Sequence, residues 1–156
     1  MAQKFHKIIQ KGAENRGIRR ALVWGTMRYL VVLLGNQDID VSAVEQTARR
    51  FGWKILRVTS LSALEQVDPE KVVAVIFEPA ALEMDWALAL EQIRLRAPAA
   101  PVIVCHSFAE RLPWPEMARA GAFHSLHLPF HPDEVRQSLG FVASTRRCDA
   151  PVEVAC

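Results

Sequence analysis

Glycine is scarce, tyrosine nearly absent and long apolar runs missing, and the last of these shortages removes a class of protein. There are seven glycines and one tyrosine in 156 residues. No apolar run approaches the roughly 20 residues that a spanning helix requires, so a membrane span is not expected. The opening residues MAQKFHKIIQKGAENRG lack the continuous apolar segment and small-residue cleavage site of a secretory signal, which makes the cytoplasm the default expectation. The three cysteines, Cys105, Cys148 and Cys156, show no CxxC or metal-ligand spacing. Cys105, inside PVIVC, reads as a buried structural thiol.

What remains is an ordinary globular mixture, about half apolar and a quarter charged. The length suits one core and is too short for two comfortable ones. The net charge of +2 conceals an asymmetry, because residues 1–28 carry +6 and residues 29–156 carry −4. The basic segment offers a contact for nucleic acid or an anionic surface, and it is the one region where a nucleic-acid partner is expected. Its glycines, Gly12 and Gly17, interrupt any amphipathic helix.

Short runs rich in Val, Ile and Leu recur at Leu30–Leu34, Lys54–Val58, Val72–Phe77, Pro101–Cys105 and Ser125–Leu128. Their length and continuous apolar character predict strands buried on both faces. Helical patterns alternate with them at Val41–Phe51, Ser62–Val67, Met84–Arg96, Pro115–Ala120 and Pro132–Val142. Five βα units of this kind predict a parallel sheet with helices on both faces, since parallel neighbours need a crossover. Ligands of such sheets collect outside the carboxyl ends of the strands. Gly35 and Asn36, Glu78, His106 and Ser107, and Leu128 fall there. GNQD after the first strand has a single glycine, which argues against a dinucleotide or P-loop phosphate site.

Glu78 closes the run VVAVIF and is followed by PAALEMDW; PVIVCHS and RAGAFHSLHLPF follow at consistent spacing. Over roughly Met27 to Val142 these segments resemble the receiver domain of two-component response regulators, in a degenerate or pseudo-receiver form. The resemblance implies a flavodoxin-like three-layer sandwich. It places Glu78 at the phosphoacceptor aspartate, Gly35 and Asn36 at the acidic pair that helps hold Mg²⁺, His106 at the Ser/Thr, Leu128 at the lysine and Ser125 at the aromatic switch position. Every chemical position therefore departs from the family pattern. One carboxylate is a poor Mg²⁺ site, and Leu128 has no hydrogen to donate to a phosphoryl oxygen.

Two readings of Glu78 follow: a solvated strand-end carboxylate, or a fixed stand-in for a phosphorylated side chain. The expected role is phosphorylation-independent signalling through a protein partner, whether kinase, regulator or self-dimer, without catalysis or cofactor. The alternatives are a divergent receiver still phosphorylated at Glu78 or elsewhere, and a nucleic-acid-binding regulator using residues 1–28. By the same resemblance, the partner surface comprises the fourth helix, fifth strand and fifth helix, with Trp114, Met117, Phe123, Ser125 and Val135. His106, His124, His127 and His131 lie near the Glu78 end of the sheet, but no HxH or HxxxH pairing fixes two metal ligands together. The expected organisation is a basic extension over residues 1–26, a receiver-like domain over 27–142 and a flexible tail over 143–156.

Overall fold

A computed structural model describes residues 29–107 and 111–149, with the backbone alone for 147–149. It contains strands β1 (Leu30–Leu34), β2 (Lys54–Val58), β3 (Val72–Phe77), β4 (Val102–Ser107) and β5 (Ala122–Leu128). They alternate with helices α1 (Ser42–Arg50), α2 (Leu61–Leu64), α3 (Trp86–Arg96), α4 (Trp114–Arg119) and α5 (Pro132–Asp149). All strand pairs are parallel, in the order β2-β1-β3-β4-β5. This is the flavodoxin-like three-layer arrangement.

The two-residue period of a strand sends neighbouring side chains to opposite faces, and the core divides accordingly. Val31, Leu33, Ile76, Ile103, Cys105 and Leu126 pack under α1 and α5. Val32, Leu34, Val75, Phe77, Val102 and Val104 pack under α2, α3 and α4. Central strand β3 serves both layers, and all six of its residues are buried. That is why VVAVIF shows no polar alternation. Cys105 is a buried free thiol.

The helices begin and end for local reasons. Asp85 caps α3 by accepting the Ala87 and Leu88 N–H groups at 3.0 and 3.4 Å. Ser60 caps α2 by accepting the Ala63 N–H at 3.2 Å. After α1 the chain turns at Gly52 with φ +78°, in the left-handed region that glycine enters without a Cβ penalty. Helix α2 is four residues long, shorter than the expected Ser62–Val67. Glu65, just beyond it, forms an ion pair with Arg96 of α3 at 2.6 Å.

Other boundaries also differ from the sequence reading, among them the start of β5 at Ala122 instead of Ser125. Strand β4 extends through His106 and Ser107, whose backbones pair with His127 and Leu128 of β5. Helix α5 passes Val142 and runs to Asp149, so residues 143–149 are helical rather than a flexible tail. Ala143 is still buried, and Arg146 lies over the Tyr29 ring at 4.7 Å. Polar residues on the outer face of a continuing helix look like a tail in sequence. Residues 1–28, including the expected extension over 1–26, and residues 150–156 lie outside the described residues.

Candidate functional site

The carboxyl edge of the sheet brings Gly35, Asn36 and Glu78 together. Glu78 donates its backbone N–H to Leu34 O at 3.1 Å, which holds the start of its chain beside the end of β1. Its side chain folds toward the loop after β1, and Oε1 accepts the backbone N–H of Asn36 at 3.2 Å. Glu78 is half-buried. It is therefore not a freely solvated strand end: it ties the end of β3 to the turn that leads into α1.

Gly35 makes that fold-back possible. A Cβ at this position would lie 3.0 Å from Glu78 Cβ and 3.2 Å from Oε1, closer than ordinary side-chain packing permits. The glycine and the longer acid are thus complementary in volume. The cavity bounded by Gly35, Asn36, Arg57, Ile76, Glu78 and Cys105 among others measures about 10 Å³, at most the room for one water.

The donor set does not fit a divalent cation. Mg²⁺ demands near-octahedral oxygen ligands and is usually held by one or two carboxylates together with substrate and water oxygens. Here Gly35 has no side chain and Asn36 Oδ1 is occupied by the Asp38 N–H at 2.8 Å. Asp40 accepts both the N–H and the hydroxyl of Ser42, at 3.0 and 2.8 Å. The backbone and side-chain bonds from Ser42 hold the Asp40 carboxyl below its ordinary value. Among the described residues, no group of three or more His, Cys, Asp or Glu side chains is placed to hold a metal ion.

Arg57 was missed by the sequence reading. It projects from β2, and Nη2 donates to the carbonyls of Gln37 at 2.7 Å and Ile39 at 2.9 Å, with a longer contact to Asn36 O at 3.4 Å. One guanidinium nitrogen thereby gathers three carbonyls of the β1–α1 loop. The available signal was a lone arginine inside an otherwise apolar strand pattern, KILRV. We expect Arg57→Met to destabilise the domain by about 1–2 kcal/mol, the usual range for charge-assisted bonds partly open to water. Faster amide exchange confined to residues 36–40 would accompany the loss; unchanged exchange there would show that the loop holds itself.

At the other end of the edge, His106 and His127 face each other with ring centroids 4.7 Å apart. His106 Nδ1 lies 3.1 Å from Ser107 O, and His127 Nδ1 lies 3.2 Å from Glu134 Oε2 of α5. His124 instead pairs in register with Ile103, and His131 Nδ1 accepts the Asp133 N–H at 3.3 Å. The four histidines do not converge on one point. Leu128 is half-buried and packs against the core of the α1/α5 layer, so the lysine position carries no cationic side chain.

Burial pushes the Glu134 carboxyl up, but the His127 side-chain and backbone bonds, with the fields of His127 and His131, outweigh it and hold the group below its ordinary 4.5. A depressed carboxyl stabilises the fold above its unfolded value and ceases to do so as pH falls through the folded one. We therefore expect wild type to melt above Glu134→Gln at about pH 6, with the difference vanishing as pH falls through the folded value, which lies below 4.5. A constant difference over that range would exclude this linkage.

The anticipated partner surface needs correction. Met117 and Val135 are fully buried, Met117 in the core layer beneath α2, α3 and α4 and Val135 in the layer beneath α1 and α5. They belong to the interior and offer nothing to a partner. Trp114 and Ser125 are half-buried, and Phe123 is 37% exposed.

Strand order, parallel pairing and the layout of the helices define the receiver fold. No protein-family model and no curated protein matches the sequence. Among solved structures, the chain is similar to the receiver domain of AraT, a response regulator from Geobacillus stearothermophilus. That match has TM-score 0.66 and 15% identity, covering 79% of this chain and 98% of that one. It is also similar to a chain named as a response regulator from Chloroflexus aurantiacus, at TM-score 0.58 and 19% identity over 75% of this chain and 98% of that one. A chain named as the pilus assembly protein CpaE from Burkholderia thailandensis matches with TM-score 0.58 and 17% identity, over 76% and 99% of the two chains.

Proposed function

We propose that the chain is a receiver-like signalling module that works without phosphorylation, through contacts with other proteins. The observation that carries this reading is the Gly35–Glu78 arrangement: at the position that the receiver resemblance gives to the phosphoacceptor, Glu78 Oε1 accepts the Asn36 N–H, and Gly35 beside it supplies no second carboxylate. Phosphoryl transfer depends on positioning and on cations around the transferring group. Leu128 and His106, the latter with its ring tilted against that of His127, supply neither a fixed ammonium nor a hydroxyl. The receiver fold supports a place in two-component signalling, while the site supports an output that does not wait for a phosphoryl donor.

The test is direct. Incubation with acetyl phosphate and Mg²⁺ is expected to leave the intact mass unchanged under conditions that label a competent receiver. A hydroxylamine-labile adduct on Glu78 would establish the rival reading, a divergent receiver that still accepts phosphate. The nucleic-acid reading depends on residues 1–28, which lie outside the described residues. A salt-dependent gel shift lost on their removal would favour it.

The Asn36 bond also argues against Glu78 as a stand-in for a phosphorylated side chain. A group that reports a state must interact differently with two arrangements of the protein, whereas this carboxylate closes a local turn. Glu78→Gln retains an acceptor oxygen, and we expect it to change stability by less than about 1 kcal/mol. Partner affinity should be unchanged. A tenfold loss of partner binding with unaltered melting temperature would instead identify Glu78 as a charge-based mimic.

A further inference from the structure

The turn between α1 and β2 brings three cations and a stacked aromatic pair to the amino rim of the sheet. Arg49 and Arg50 end α1 and Lys54 opens β2; all three are exposed, and none has an ion-pair partner among the described residues. Phe51 stacks on Trp53, with ring centroids 4.8 Å apart and planes 29° from parallel. Trp53 is buried, while Phe51 stays 36% exposed. Arginines in the last turn of α1 complement the negative end of the helix dipole. That role accounts for neither Lys54 nor a large aromatic ring left in water.

The turn is held by its own backbone. Phe51 and Trp53 both donate their N–H groups to Ala48 O, at 3.0 and 2.9 Å, and Gly52 donates to Arg49 O at 3.0 Å. A groove of about 460 Å³ lies against it, lined by Glu45, Arg49, Gly52, Trp53, Lys54 and Ile55. This is within the roughly 300–1,000 Å³ usual for small-ligand sites. Glu45 is the one carboxylate among these lining residues. Tyr29 O accepts the Lys54 N–H at 2.9 Å, and Arg146 lies over the Tyr29 ring. Residues 1–28, with a net charge of +6, join the domain at Tyr29, so the most basic part of the chain is attached beside the groove.

We propose that this rim binds single-stranded nucleic acid, with phosphates on Arg49, Arg50 and Lys54 and a base on Phe51. Single strands are taken up by a positively charged groove together with aromatic rings on which bases stack, whatever the sequence. Trp53 backs Phe51, so the ring is positioned before any base arrives, which lowers the cost of binding. Duplex is a poorer occupant, because reading it calls for a helix or β-ribbon that enters the major groove, and here a concave turn meets the ligand. An anionic membrane is also poorer, since it calls for an amphipathic helix with an apolar face to bury. The rim lies opposite Glu78, so the inference goes beyond the protein contacts proposed above and does not depend on whether Glu78 accepts phosphate.

Fluorescence anisotropy of the full chain with a labelled oligothymidylate of about 15 nucleotides, near the upper end of known site sizes, tests it. Wild type is expected to bind, and Phe51→Ala to raise the dissociation constant by about tenfold. Lys54→Gln and Arg49→Gln should each weaken binding and reduce the slope of log affinity against log salt by about 0.7. Glu45→Gln removes the carboxylate of the groove and should tighten binding by about two- to threefold. Circular dichroism checks that each variant is folded; if Phe51→Ala is not, the three charge variants decide. Absence of binding, duplex bound as tightly as the single strand, or folded groove variants that all bind like wild type would each overturn the proposal. The last result, with binding lost on removal of residues 1–28, would place recognition in that segment alone. Capture by phosphatidylserine vesicles without oligonucleotide binding would assign the rim to a membrane contact instead. Intact mass after acetyl phosphate treatment is a separate measurement, so this proposal and the signalling reading stand or fall apart.

Discussion

Met117→Ala is expected to lower the unfolding free energy by about 2–5 kcal/mol, the range for removing a large buried side chain and leaving the space behind. Met117 is fully buried and is the buried residue of the short helix α4. A six-residue helix has little stability of its own, so the burial of Met117 in the core layer shared with α2 and α3 is what docks it. Trp114→Ala, at a half-buried position of the same helix, should cost less. Urea denaturation with a two-state fit gives both values. If Met117→Ala were neutral in stability but abolished partner binding, the residue would belong to a docking face after all, and α4 would have to move to expose it.

Gly35→Asp is the natural attempt to restore the acidic pair, and it is expected to destabilise the fold by about 1–3 kcal/mol, as overpacking does. The new Cβ would meet Glu78 Cβ at 3.0 Å. Both atoms are bonded directly to backbone, so neither can swing aside as the tip of a long side chain can. A second carboxylate beside Glu78 adds like-charge repulsion. Neighbouring sites that share a contact should be strongly non-additive. Gly35→Asp/Glu78→Gly is therefore expected to recover most of the loss, although Glu78→Gly alone removes the Asn36 bond. Equal costs for Gly35→Asp with Glu78 present and absent would mean that the two positions do not constrain each other.

The architecture was legible because its signals are local. VVAVIF can be apolar throughout only when both faces are covered, and Pro132, Pro98 and Gly52 punctuate helices in ways that need no tertiary information. Departures arose where one face of an element decides. Phe123 and His124 broke the apolar pattern of β5 because it is an edge strand, yet the strand begins at Ala122. The substitutions at Gly35, Glu78, His106 and Leu128 could be read from the segment matches, but their consequence could not. That Glu78 turns back over Gly35 depends on a gap between β1 and β3 that only the folded chain defines. Arg57 went unnoticed for a related reason, since its acceptors are carbonyls 18 to 21 residues away and backbone oxygens leave no mark in a sequence. The assignment of Met117 and Val135 to a partner face followed helix membership alone, whereas burial is settled by which side of the helix meets the sheet.

Helix α5 runs back from the Glu78 edge and lays Arg146 over Tyr29, the residue that leads into β1 and whose carbonyl accepts the Lys54 N–H at 2.9 Å. The chain thus enters and leaves the described domain at one rim, and the altered receiver pocket lies at the other. A five-residue strand separates the two rims by about 17 Å. Within the described domain, a change at the pocket would reach the opposite rim as a movement of α5, and the Arg146–Tyr29 contact is where that movement would be felt first.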